Sequence, residues 1–276
     1  MPRRNRAGAD RVLKFRLMSL LQRIRAKGLG HAFRAVLDHA NTPRLASYPA
    51  FAALVRDKVG LEIGGPSFAF HDRGMLPLYR CAARIDNCNY AEDSIVNGHV
   101  PGGRTFQYYP KREPGWTFIC EAADLRQMPD AVYDFILASH CLEHCANPIK
   151  AIRQWSRVAR PNAACVVVLP DYHHTFDHRR QPTPLSHLIE DYERDTGEDD
   201  LSHLQESLEL HDLTMDPQGG IHEQFAERCR NNFATRKLHH HVFDEADAEA
   251  MLTFSGLTVL HKEIAQPFHI VMLARL

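Results

Sequence analysis

Val59-Gly60-Leu61-Glu62-Ile63-Gly64-Gly65-Pro66-Ser67 is the stretch on which the fold turns. A short apolar run carrying one acid leads straight into two glycines, and glycine accepts backbone angles and close contacts that a Cβ forbids. Asp86 closes a second apolar run about 20 residues on, the spacing at which an acid meets a ribose diol. A tight turn with no ligand explains the same glycines, and on these residues alone both readings stand.

Outward from this stretch, strand-like runs alternate with helical patterns. Leu61–Ile63 reads as a first strand, Cys81–Asp86 as a second, Phe118–Ala122 as a third and Tyr133–Ala138 as a fourth. Ile149, Ile152, Trp155 and Val158 then recur at helical spacing over Pro148–Ala159, and Pro161-Asn162 breaks the run. Cys165–Leu169 is a continuously apolar fifth strand. Such runs between helices mark a parallel sheet covered on both faces. Leu257–Leu260 and Ile270–Leu273 suit a closing antiparallel pair. The expected fold class is α/β: a Rossmann-like seven-stranded sheet, mostly parallel, with an antiparallel C-terminal hairpin and helices on both faces.

Two tracts stand outside this pattern. From Arg3 to Arg44 the basic residues are opposed only by Asp10 and Asp38, and Leu13, Leu17, Leu20, Leu21 and Ile24 recur at helical spacing. A basic amphipathic helix is expected there, within an extension over residues 1–50. It either packs on the main domain with a solvated basic face, the favoured reading, or docks on an acidic membrane surface or a glycosyltransferase partner. From about 171 to 241 the chain is polar and rich in His, Asp, Glu and Arg, too long for an ordinary connection. Residues 51–276 are expected to form one catalytic domain with this tract as an insertion.

The bulk numbers set outer bounds. A net charge of −1 over 276 residues, with pI near 7.0, argues against a polyanion binder, so no nucleic acid is expected. Seven cysteines, none in a CxxC pair, fit a reducing compartment without a disulfide framework or zinc ribbon. No apolar run approaches the about 18 residues that span a bilayer. The expected location is cytoplasmic, peripheral at the inner membrane if the basic arm docks there.

The pieces in their order resemble the class I S-adenosylmethionine-dependent methyltransferases. LEIGGP is similar to the glycine-rich first motif, RIDNCNY to the acidic end of the second strand, and AADLRQMPDAVYDFILASHCLEH to the third-strand acidic turn with the fourth strand. HCANPIKAIRQWSRVARPNAACVVVLP is similar to the helix, proline break and fifth strand. Pro66-Ser67 departs from the family's E-x-G-x-G-x-G, and Asn162-Ala163 stands where two glycines are usual. The resemblance implies S-adenosylmethionine as cofactor, approached by Gly64 and Gly65. Glu62 would organise the loop, Asp86 would hold the ribose hydroxyls, Asp124 would face the adenine amino group, and Ser139 would lie at the fourth strand end. Carboxylates, as acceptors, suit a diol or an exocyclic amine. The insertion resembles bacterial methyltransferases of surface-glycan assembly.

Chemistry is expected beyond the carboxyl ends of the strands. His173 or His174 is the leading general base, because histidine titrates near neutrality, and His140 follows. Each can equally cap a turn. Glu143-His144 reads as a pair that fixes loop geometry. Asp171, Asp177, His178, Arg179, Arg180 and His240 are the expected acceptor-binding set, the arginines as a clamp for a carboxylate or phosphate; His211, Asp212, Arg236 and His239 extend the same polar surface. No metal is assigned, since the spacings match no zinc motif and adjacent histidines on a strand face opposite ways. The expected activity is methyl transfer to an oxygen of a sugar, glycan or small hydroxylated acceptor. The alternatives are a non-catalytic module recruited to a glycan-assembly partner, and a nucleotide-sugar or NAD-dependent enzyme.

Overall fold

A computed structural model describes residues 43–94, 98–216 and 218–276. The chain divides into two units, Met1–Arg44 and Leu45–Leu276. The basic helix expected in the first of these lies outside the described residues.

The second unit is built on an eight-stranded sheet of order β5-β6-β2-β1-β7-β8-β10-β9, one strand more than expected. Its strands are β1 (Val59–Ile63), β2 (Arg84–Asn89), β5 (Gly103–Phe106), β6 (Gly115–Ile119), β7 (Tyr133–Ser139), β8 (Ala159–Pro170), β9 (Thr258–Ala265) and β10 (His269–Arg275). Two two-residue strands, β3 (Asp93–Ser94) and β4 (Gly98–His99), pair separately. The added strand is β5, which runs antiparallel to β6 at one edge; β10 runs antiparallel to β8 and β9 at the other. Between those edges β6, β2, β1, β7 and β8 are parallel.

Successive side chains on a strand face opposite sides, so each central strand feeds two cores. Leu61, Ile63, Ile136, Ala138, Cys165 and Val167 belong to one, with helices α2 (Pro148–Val158), α3 (Leu185–Glu193) and α7 (Glu245–Phe254) packed against them. Phe135, Leu137, Val166 and Val168 belong to the other. Among the described residues that face is covered by one helix, α1 (Tyr48–Val55), and by the irregular chain from Phe70 to Ala82. Helix α2 forms where the spacing places it. Pro148 opens it, the Asn147 side chain accepts from Lys150 N at 3.0 Å, and Ile149, Ile152, Trp155 and Val158 are fully buried. Each such side chain contributes about 1.5–3 kcal/mol of burial, so this stripe anchors the helix.

Several strands start or end away from their expected positions; β9 runs on to Ala265, five residues past its expected end. β2 ends three residues later than expected, at Asn89, and β6 ends three residues earlier, at Ile119. β8 begins at Ala159, and Pro161-Asn162 interrupts only its register against β7, where Tyr133 pairs with Ala159 and Phe135 with Ala164. Asn162 takes a left-handed φ of 64° there, a conformation asparagine tolerates well, and donates its N–H to Leu276 O. The insertion carries α3, α4 (Leu204–Leu210), α5 (His222–Arg230) and the one-turn α6 (Asn232–Thr235). Among the described residues no helix is long and apolar enough to cross a membrane.

Candidate active site

The carboxyl ends of β1, β2, β6 and β7 open into one cleft, with about 700 Å³ of empty space when the open solvent at its mouth is included. Strand order reverses across β1, the position where open α/β sheets bind ligands. Ile63 and Gly64 line it from β1, Cys88, Asn89 and Tyr90 from β2, and Cys120, Glu121 and Ala122 from β6. His140, Cys141, His144 and Cys145 line it from the turn after β7, and Glu198, Thr235 and Arg236 reach it from the insertion.

The glycine loop is held from below. Glu62 is fully buried and accepts from Ser67 N at 3.0 Å and from the Tyr79 hydroxyl at 2.7 and 2.9 Å. Burial pushes its carboxyl up to about 7, against the hydrogen bonds from Ser67 and Tyr79. A Cβ on Gly65 would lie 2.4 Å from the Glu62 carboxyl carbon, so only glycine lets the loop close over this acid. Gly65 is held from the other side as well: its N–H donates to Asn87 Oδ1 at 3.1 Å, and Asn87 Nδ2 and Asn89 Nδ2 donate to its carbonyl at 3.3 and 3.1 Å. Gly64, on the cleft wall, has a left-handed φ of 76°.

The displaced strand ends relocate two expected carboxylates. Asp86 is not at the end of β2 but inside it, where it accepts from Trp116 N at 2.9 Å and from the Tyr133 hydroxyl at 3.2 Å and pairs with Arg84. It is nearly buried and does not line the cleft; Asn89 does. Asp124 lies past the cleft in an exposed bidentate pair with Arg126, and Glu121 takes the position just beyond β6. The sequence signal for Glu121 is an acid directly after the apolar residues of β6, which a strand running to Ala122 would place inside the sheet. Ser139 ends β7 without lining the cleft.

Of the three nominated bases, His140 alone lines the cleft. It follows β7 with a left-handed φ of 51°. Its Nδ1 stands 3.3 Å from Glu143 Oε1, and its Nε2 meets His269 Nδ1 at 2.9 Å. Glu143 is fully buried. Burial would raise its carboxyl, but His140, with help from His144 and His239, outweighs that and draws it down to about 2. His269 is lowered to about 3 by burial and by the charge His140 would carry. His144, on the cleft wall, is lowered to about 3 by burial and His239. His173 and His174 sit in the turn after β8, outside the cleft lining; His173 Nδ1 is 2.8 Å from Asp171, which also caps its backbone N–H.

The expected acceptor-binding set turns inward. Arg180 is 1% exposed and donates to the carbonyls of His239 and His240 and to Glu206, with Asp177 3.5 Å away. Asp177 pairs with His239 at 2.6 Å, and His178 and Arg179 both pair with Asp212. His240 is buried against Asn232. None of these, nor Asp171, lines the cleft; each meets a partner inside the insertion instead. The insertion residues that do reach it are others. Arg236 pairs with Glu121, stands 3.8 Å from Glu198, and stacks over Tyr90 with its guanidinium carbon 5.1 Å from the ring centre. Glu198 is raised to about 7 by burial, against the pull of Arg236, and its Oε2 has no hydrogen-bond partner among the described residues.

A cleft with a Cβ-free wall at the β1 turn, two carboxylates and few cations fits a cationic sulfonium bearing a ribose and a base. It fits a pyrophosphate poorly. A sequence model of the family described as "Methyltransferase domain" matches residues 105–167, which run from β5 through β6 and β7 into β8. The activity is methyl transfer, and its cofactor is S-adenosylmethionine. Similar solved structures include a SAM-dependent methyltransferase from Methanosarcina mazei, 14% identical over 84% of this chain and 98% of that one, with a TM-score of 0.49. Another is the 1,6-didemethyltoxoflavin-N1-methyltransferase of Burkholderia thailandensis, with bound 1,6-didemethyltoxoflavin and S-adenosylhomocysteine; it is 13% identical over 100% and 92%, at 0.45. A third is a SAM dependent methyltransferase from Aquifex aeolicus, 12% identical over 82% and 86%, at 0.43. No curated protein matches the chain.

Proposed function

We propose that this chain methylates a hydroxyl oxygen of a sugar-like or otherwise hydroxylated acceptor, with His140 as general base. What supports this is the Glu143–His140 pair on the cleft wall: a buried carboxylate directed at one ring nitrogen of a histidine whose other nitrogen is directed elsewhere. Glu143 holds the Nδ1–H tautomer, which leaves the Nε2 lone pair to take a proton. His269 Nδ1 now meets that lone pair, and an acceptor hydroxyl exchanging with His269 would hand its proton to Nε2.

The remaining roles follow from position. Gly64 and Asn89 would hold the methionine and ribose portions, and Glu121 the adenine side. Glu198 and Arg236 would close the cleft from the insertion and exclude water. When bound, the sulfonium supplies an electrophilic methyl carbon whose departure leaves a neutral thioether. Alignment of the hydroxyl in line with that carbon is the largest contribution the protein can make.

The test is His140→Ala, assayed with a panel of hydroxylated acceptors beside calorimetry of S-adenosylhomocysteine binding. Turnover should fall about 10²–10⁴-fold while affinity for the product cofactor holds. Unchanged turnover would remove the base, and tight NAD binding without S-adenosylhomocysteine binding would overturn the cleft assignment.

A further inference from the structure

We propose that His187, Asp191, His203 and His241 form a closed, four-ligand zinc site that clasps the insertion. One ligating atom from each residue lies within 4.8 Å of all the others. His187 Nε2 stands 3.0 Å from His203 Nε2 and 3.3 Å from Asp191 Oδ2; His241 Nε2 stands 3.7 Å from the same oxygen and 3.4 Å from Ala146 O, a bond it would give up to ligate. Ligands at about 2.0–2.2 Å around a tetrahedral zinc are about 3.3–3.6 Å from one another, so the three separations between ligating atoms lie within about 0.3 Å of the edges of such a tetrahedron.

The donor chemistry points the same way. Three imidazoles and one carboxylate, with no thiolate, suit Zn²⁺ and disfavour the all-oxygen shells of Mg²⁺ and Ca²⁺. Asp191 is 8% exposed; its Oδ1 accepts from the Thr196 hydroxyl, while Oδ2 has no hydrogen-bond partner among the described residues. A buried carboxylate oxygen left without a donor is costly, and a cation among the three rings removes that cost. Neutral rings facing each other through Nε2 atoms share at most one proton, and Asp191 Oδ2 adds acceptor lone pairs at the same point. An outer partner is also in place, since His203 Nδ1 lies 3.6 Å from Glu206.

Chain order gives the site its consequence. His187 and Asp191 lie four residues apart on α3, His203 precedes α4, and His241 begins the return to the sheet. Glu198 lies between the second and third ligands, and Thr235 and Arg236 between the third and fourth. The Asp191 carbonyl accepts from Asn147, the cap of α2. A single ion therefore pins the chain on both sides of every residue the insertion brings to the cleft. A second grouping, Glu143, His144 and His239, offers three ligands. Its two histidines give Nδ1 to Leu238 O and Asp177 and keep Nε2 available, but it supplies one ligand fewer and belongs to the cleft itself.

The measurement is metal content of the full chain, purified with its affinity tag removed, followed by chelation and titration with Zn²⁺ and Co²⁺. About one zinc per chain is expected, and cobalt should give the intense visible bands of a four-coordinate ion. His187→Gln and His203→Gln should each lower zinc affinity at least about tenfold with helical content unchanged, whereas His144→Gln should keep the ion. If a ligand variant fails to fold, the wild-type cobalt spectrum decides. Absence of zinc with no cobalt bands, equal binding in the folded ligand variants, or loss of the ion on His144→Gln would each overturn the assignment. Metal content and S-adenosylhomocysteine binding are separate readouts, so the zinc site can fail while the methyl-transfer reading stands.

Discussion

At the strand ends, Glu62, Asn87 and Asn89 hold one glycine loop from three sides, so polar groups buried in the sheet shape the wall of the cleft. In the insertion, Asp177, Arg180, His239 and Glu206 hold one another, and the cleft is reached by a different few, Glu198, Thr235 and Arg236. Both regions are dense in polar residues. In the sheet, geometry assigns the outward positions, because only the residues at the carboxyl ends can face a ligand. In the insertion nothing periodic does so, and a side chain faces the cleft or its neighbours according to helix packing alone.

The sharpest break in this contrast is Arg180→Met. As a structural residue it should cost about 3–5 kcal/mol of stability, because Asp177 and two carbonyls lose a buried partner. Acceptor KM should hold at temperatures where the variant stays folded. Denaturant unfolding beside steady-state kinetics separates the outcomes: a stable variant with a raised KM would return Arg180 to the acceptor site.

A smaller effect tests the sheet side through pH. Glu62 has its folded value raised to about 7 by burial, so the stability it contributes is full below its unfolded range and lost as pH rises through about 7. Relative to wild type, Glu62→Gln should therefore gain on the order of 1–3 kcal/mol between about pH 5 and pH 8. Melting curves of both proteins across that range provide the check, and parallel curves would show that the carboxyl is not perturbed.

The mildest prediction concerns the relocated carboxylates. Glu121→Gln should weaken S-adenosylhomocysteine binding about tenfold, the size of one charge-assisted hydrogen bond. Asp124→Asn should leave it unchanged, and Asp86→Asn should alter stability more than affinity. Calorimetry that ranked Asp86 or Asp124 above Glu121 would restore the original strand ends.

Much of the sheet can be read from the residues, because a strand covered on both faces must be apolar without interruption. Tyr133–Ser139 and the run through Cys165–Leu169 satisfy that requirement, and α2 shows its buried stripe as plainly. β2 resists the same reading: its sequence is Arg-Ile-Asp-Asn-Cys-Asn, and three of its polar residues are buried. Trp116 N, Tyr133 and the glycine loop satisfy them, all from other segments of the chain. Likewise the triple His239–His241 divides three ways, toward Asp177, Asn232 and Asp191 respectively, which no local spacing announces.

The order of segments, the glycine turn after β1 and the histidine following β7 were determined by the sequence itself, since each depends on neighbours along the chain: apolar runs, a missing Cβ, a strand end. Which carboxylates meet the cleft, which of the three candidate bases lines it and which four side chains converge on one point were decided only by tertiary structure. Those outcomes depend on hydrogen-bond partners that folding brings from 30 or more residues away, Trp116 for Asp86 and Ala122 for Trp155 among them, and a buried polar group goes wherever its partner is.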